Sequence, residues 1–217
     1  MNAETFDDRK KRARGIVRRL AKEYPHAATE LDYGTPFELL IATILSAQCT
    51  DAKVNEVTRT LFRDYPGPEA FAAEDLSVLE ERLYPTGFFR QKANATSEAS
   101  REIVGRFGGE VPRTMDELLS LPRVARKTAN VVLTQAFGIA SGIVVDTHVA
   151  RLSRRMGLSE ETLGDKIEED LTALLPRSRW IAAGDTLIFH GRRVCHARKP
   201  LCEVCAVSAL CPKLLDT

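Results

Sequence analysis

LLSLPRVARKTANVVLTQAFGIASGIVVDTHVARLSRR, residues 118–155, is the stretch whose reading decides the fold. It reads as a short helix, a tight turn at Leu121-Pro122-Arg123-Val124-Ala125, a second helix, a loop and a third helix. Pro122 cannot continue a helix, because its ring clashes with the preceding turn and it has no N–H to donate. From Arg126 to Phe137 the apolar residues Ala129, Val132, Leu133, Ala136 and Phe137 fall at helical spacing, and Gly138 supplies a helix end. Two helices joined by so short a turn form a hairpin. The start of the second helix offers free backbone N–H groups to an anion such as phosphate. Lys127 stands there. The helix field and the neighbouring Arg126 would both disfavour its ammonium form and make its amine a better nucleophile. Asp146 opens the third helix, where aspartate commonly serves as a cap. A lone surface lysine is usually a solvated charge. The surrounding sequence therefore has to carry the functional argument.

That surrounding sequence is specific. LPRVARKTANVVLTQAFG followed by VVDTHVARLSRR resembles the helix-hairpin-helix and catalytic segment of the endonuclease III family of DNA glycosylases. The family pattern is L-P-G-V-G-[RK]-K-T-A, then V-D-T-H-[VI]-x-R. TPFELLIATILSAQCTD (35–51), GFFRQKA (87–93), GEVP (109–112) and a four-cysteine C-terminus follow in family order, so the resemblance covers nearly the whole chain. One departure stands out. Arg123 and Ala125 occupy positions where the family has glycine, which permits positive φ and close approach of backbone to phosphate. A left-handed non-glycine residue costs roughly 1–2 kcal/mol. The hairpin is therefore expected to be either reshaped or strained, with the Arg123 side chain replacing a lost amide contact to phosphate.

The totals set bounds. The 217 residues suffice for one large or two small domains. A content of 44% hydrophobic and 28% charged residues is that of an ordinary soluble globular protein. A net charge of +1 does not by itself announce nucleic-acid binding. Local patches say more: Arg9, Lys10, Lys11, Arg12, Arg14, Arg18 and Arg19 crowd the first helix, and Arg192, Arg193, Arg198 and Lys199 crowd the cysteine region. The first group reads equally well as a solvated helix face. No signal peptide or transmembrane run is present, so a cytoplasmic, nucleoid-associated protein without structural disulfides is expected.

Along the chain, residues 4–23 form a basic amphipathic helix. Thr35-Pro36-Phe37-Glu38 is a capping box opening a nearly all-apolar helix, 37–47. Asp51 is expected to cap a helix over 52–63, and Cys49 to be a buried structural thiol. A helix from Asp75 to Leu83 ends at Pro85. A helix over 91–107 is closed by Gly108-Gly109, and Thr114-Met115-Asp116-Glu117 is a second capping box. Helices over 164–175 and 179–190 lead into the cysteines. No stretch alternates polar and apolar residues, so the fold class is all-α.

Cys195, Cys202, Cys205 and Cys211 are spaced C-x6-C-x2-C-x5-C. Four thiols so close together point to a four-sulfur metal site. Spacing alone suits zinc and an iron–sulfur cluster equally. The resemblance implies a [4Fe–4S] cluster, structural for DNA binding, with Arg198 and Lys199 on a basic phosphate-binding loop.

The resemblance implies two domains with a cleft between them, Lys127 and Asp146 facing each other across it. One is a helical barrel over 29–139 that includes the hairpin at about 116–138. The other is a cluster domain joining 1–28 to 140–217. It implies that Gln48 fills the gap left by an extruded nucleotide and that Phe88 wedges into the base stack. Arg123, Val124, Ala125, Arg126, Thr128 and His148 complete the expected DNA contacts. The implied activity is that of a bifunctional DNA glycosylase and abasic-site lyase, acting as a monomer on oxidised pyrimidines such as thymine glycol in duplex DNA. Lys127 attacks C1′ and forms a Schiff base. Asp146 stabilises developing positive charge and helps to deprotonate the amine. Beta-elimination then cuts the strand. Three alternatives stand beside this. Adenine-specific mismatch glycosylases lack the lysine and carry an extra C-terminal domain, whereas this chain has Lys127 and ends at Thr217. A mismatch-directed thymine glycosylase is closer. A DNA-binding paralogue with weak or no catalysis would follow from the altered hairpin.

Overall fold

The structure, a computed structural model, describes residues 4–214; Thr217 and its neighbours lie outside them. The described residues form helices and turns with no strand, as the missing alternation requires. None of their helices is long and apolar enough to cross a membrane. The helices are α1 (Phe6–Glu23), α2 (Pro36–Leu45), α3 (Asp51–Asp64), α4 (Pro68–Ala73), α5 (Leu76–Leu83), α6 (Phe89–Phe107), α7 (Met115–Leu119), α8 (Arg126–Val131), α9 (Thr147–Arg155), α10 (Gly164–Leu174) and α11 (Trp180–Arg193). They divide into two compact units. One runs from Glu30 to Ile139. The other joins the residues up to Thr29 with those from Ala140 onward.

The Glu30–Ile139 unit is built round α2. Pro36 sits in its first turn, and Thr35 Oγ1 accepts the Glu38 amide at 3.1 Å. The box is not closed in the usual way, because the Glu38 carboxylate reaches past Thr35 to the Gly34 amide. Every residue of α2 from Leu39 to Leu45 is buried, so it forms the axis against which Val54, Leu61, Phe71, Leu79, Leu83 and Ile103 pack. Each fully buried leucine of this kind contributes about 1.5–3 kcal/mol.

Several boundaries differ from those expected. α3 is capped by Thr50, whose Oγ1 accepts the Lys53 amide, and Asp51 is its first helical residue. Thr50 has the extended backbone that a cap needs. α4 carries no periodic signal and is short, but Pro68 starts it and Phe71 anchors it in the core. The helix expected over Arg126–Phe137 is α-helical only to Val131 and π-helical from Val132 to Ala136. Thr134 Oγ1 donates at 2.7 Å to the Asn130 carbonyl, the acceptor that the Thr134 amide would take in an α-helix. The ladder widens there and closes with Ile139 N–H on the Leu133 carbonyl at 2.8 Å.

The other unit packs α1, through Ala13, Ile16, Val17 and Leu20, against α10 and α11, with Val149 and Leu152 of α9 in the same core. The absence of a side chain at Gly191 of α11 allows close approach to α9: a Cβ there would lie 2.8 Å from that of His148. The basic character of α1 is partly structural. Arg12 is held by Glu4, by the Met156 carbonyl and by the Gly157 carbonyl at 3.0 Å.

Candidate functional site

The hairpin turn is strained at one residue and relaxed at another. Arg123 has φ +58°, the left-handed region that glycine occupies without cost. Ala125 has φ −86° and ψ 166°, ordinary extended backbone, and caps α8 without a side-chain bond. Of the two outcomes expected for this turn, strain is therefore the one found, and Arg123 carries it. The Arg123 side chain is exposed and lies 3.7 Å from the Glu98 carboxylate. Lys127 is exposed in the first turn of α8, with Arg126 before it and Thr128 after it partly buried. Val124 differs from expectation: its side chain is 5% exposed in the core and its amide donates to the Leu121 carbonyl at 3.3 Å.

Among the described residues five that are not glycine have positive φ: Gln48, Phe88, Arg123, Lys199 and Lys213. The first four are residues that the sequence singled out for DNA. Backbone strain persists only where the surroundings over-determine it and clusters at functional positions. Phe88 follows Gly87, itself at φ +69°, and its ring is 57% exposed. Gln48 is exposed at the turn after α2. The three strained candidates Gln48, Phe88 and Arg123 lie in the same unit as Lys127.

Asp146 belongs to the other unit. It caps α9, one carboxylate oxygen accepting the His148 and Val149 amides at 2.8 and 2.9 Å. His148 follows on the first turn, its Nδ1 3.2 Å from Arg151 Nη2. Two arginines outside the expected DNA contacts extend this face, Arg151 being the last residue of the V-D-T-H-[VI]-x-R pattern. Arg151 donates to the Gly191 and Cys195 carbonyls at 3.0 and 2.9 Å. Arg155, 7% exposed, donates to the His196 and Ala197 carbonyls at 2.6 and 2.7 Å. The available signal was their spacing: 148, 151 and 155 share one helical face. Together they fasten the loop bearing Arg198 and Lys199, both exposed, to the helix that Asp146 starts.

Cys195, Cys202, Cys205 and Cys211 are all free thiols and line one pocket, with Arg155 and His190 in its wall. Burial pushes the Cys205 and Cys211 thiols up and holds the His190 imidazole neutral, with a pKa of about 4. His190 Nδ1 meets the Tyr24 hydroxyl at 2.9 Å and its Nε2 the Cys205 sulfur at 3.3 Å. The Lys213 amide donates to Cys211 Sγ at 3.3 Å. Among the described residues no three His, Cys, Asp or Glu side chains converge as they would round a single ion. The four thiols are nonetheless gathered, with N–H donors aimed at sulfur, and this donor set fits a polynuclear iron–sulfur group.

An all-helical fold with a hairpin, an aspartate-capped helix and a cysteine pocket defines a class: the profile of the HhH-GPD superfamily of base excision DNA repair proteins matches residues 41–177. Endonuclease III of Synechocystis is 54% identical over 94% of this chain and 93% of its own length. Endonuclease III of Bacillus subtilis is 45% identical over 87% and 86%. The structure of a trapped endonuclease III–DNA covalent intermediate, an estranged-adenine complex, superposes with a TM-score of 0.89 at 41% identity, covering 94% of this chain and 96% of that one. The chain belongs to the endonuclease III family.

Proposed function

We propose that this chain is a bifunctional DNA glycosylase and abasic-site lyase of base excision repair, acting as a monomer on oxidised pyrimidines such as thymine glycol in duplex DNA. The observation that carries the reading is the exposed Lys127 at the helix start behind the hairpin turn, in one unit with Gln48, Phe88 and Arg123 on left-handed backbone. A damaged nucleotide has to leave the stack before its C1′ can be attacked. Phe88 opens the step, Gln48 fills the gap, and Arg123 with the α8 amides holds the phosphates. The Lys127 amine forms the bond to C1′ as the bond to the base breaks, and its proton is passed on. The Asp146 carboxylate stabilises the positive charge developing on the sugar. The C1′–O4′ bond then opens, O4′ taking up a proton, which leaves a Schiff base between Lys127 and C1′; this acidifies the adjacent C2′ proton, and its loss expels the 3′ phosphate.

The unit of residues 30–139 is the barrel domain in this reading, and the other is the cluster domain. Cys195, Cys202, Cys205 and Cys211 would hold a [4Fe–4S] cluster. When bound, it supplies the iron–sulfur ligation that organises the basic loop. Arg198 and Lys199 on that loop, and His148 beside it, bind phosphate. The site of action is the nucleoid of the cytoplasm.

Borohydride trapping on a duplex containing thymine glycol tests this, with Lys127→Ala alongside. A covalent adduct that vanishes in the variant is expected. Binding without an adduct would overturn the lyase assignment, and free-base release in the same reaction would then separate a base-releasing enzyme from a DNA-binding paralogue.

A further inference from the structure

Lys92 is 4% exposed, deep in the first turns of α6. A buried ammonium is costly, and a methionine would fill the same space without that cost. Its contacts explain its presence. Nζ donates at 2.8 Å to the carbonyl of Thr86, which is itself 2% exposed. The Lys92 backbone N–H donates at 3.1 Å to the Phe88 carbonyl. One residue thus ties down both carbonyls that bracket Gly87, where the chain turns left-handed at two successive positions, φ +69° and +47°. Thr86 is pinned from its other side by its hydroxyl on the Leu83 carbonyl at 2.8 Å.

We propose that Lys92 is a positioning residue for lesion recognition: from inside the core it holds the turn that presents Phe88 in the shape that enters the base stack. Burial drives its amine away from the charged form. The protein retains it there because no apolar side chain can grip the Thr86 carbonyl. Left-handed backbone at an exposed phenylalanine relaxes unless something holds it. Lys92 does so without touching DNA.

The inference rests on the reading of Phe88 as the wedge, and the test separates the two. Wild type, Lys92→Met, Phe88→Ala and the double variant are compared on a thymine-glycol duplex and on a single-stranded oligonucleotide with an abasic site, which has no stack to open. Lys92→Met is expected to lose roughly tenfold in single-turnover rate on the duplex, the scale of one charge-assisted hydrogen bond. It should keep wild-type borohydride trapping on the single strand. Combined with Phe88→Ala it should lose little more than Phe88→Ala does alone. Equal losses on both substrates, or losses that multiply in the double variant, overturn the inference. Wild-type duplex cleavage by Lys92→Met beside an impaired Phe88→Ala overturns it alone. Wild-type duplex cleavage by Phe88→Ala removes the wedge reading, and this inference with it. If Lys92→Met does not fold, Lys92→Gln, which keeps a donor on a shorter stem, enters the same comparison with an intermediate duplex rate expected.

Discussion

Asp146 accepts two backbone amides at the start of α9, and neither bond needs its charge. Asparagine caps helices as well as aspartate does. Asp146→Asn should therefore unfold within about 0.5 kcal/mol of wild type, while base excision falls at least about a hundredfold through loss of the carboxylate. Thermal unfolding and single-turnover excision on one preparation check both halves. A stable variant with full activity would reduce Asp146 to a cap. Arg123 poses the opposite question. Arg123→Gly removes about 1–2 kcal/mol of left-handed strain but adds about 0.5–1 kcal/mol of unfolded-chain entropy, so stability should rise by about 0–1.5 kcal/mol. If the guanidinium holds a phosphate, the slope of log K against log salt should fall by about 1. An unchanged slope rules that contact out. Lys127, Asp146 and the four cysteines stand out in the sequence as candidates because motif and spacing mark them. The choice between a strained and a reshaped turn was not legible there, since φ at Arg123 depends on the packing of Val124 and Leu121 beneath it.

The nine residues of α9, Thr147–Arg155, join the Asp146 cap before them to the Arg155 tether at their end. Arg155→Met keeps the apolar stem and deletes two charge-assisted hydrogen bonds to the loop after Cys195. A loss of about 2–3 kcal/mol is expected from those bonds, together with weaker binding to undamaged duplex as Arg198 and Lys199 lose their mount. Urea unfolding and a salt-dependent binding isotherm measure the two. Retained affinity would mean that the loop holds its shape without α9. Long, strongly patterned helices such as α1, α2 and α6 were legible in the sequence, because apolar spacing and caps agree there. α4 was not, being too short to show a period. Nor was the π-helical stretch, since a threonine hydroxyl competing for one carbonyl leaves the apolar spacing unchanged.

Each unit has its own core, so insults to one should be felt there first. With the proposed cluster loaded on the four cysteines, its oxidative removal in the presence of a chelator is expected to deprotect amides near them and along α9 and α11, while those of α2 and α6 keep their hydrogen-exchange protection. Uniform deprotection of both sets would show one cooperative body. The all-helical class could be read from the missing alternation, and a resemblance spanning most of the chain nominates the candidate site residues. The discontinuous unit follows from contacts between distant residues, which periodicity cannot report. That discontinuity has a consequence during synthesis. α1 leaves the ribosome ahead of the Glu30–Ile139 unit, yet the helices that cover Ile16, Val17 and Leu20 lie beyond that whole unit. At about 5–20 residues per second this greasy stripe waits roughly 8–35 s for its partners, long enough for the intervening unit to fold and for a nascent-chain chaperone to sit on α1.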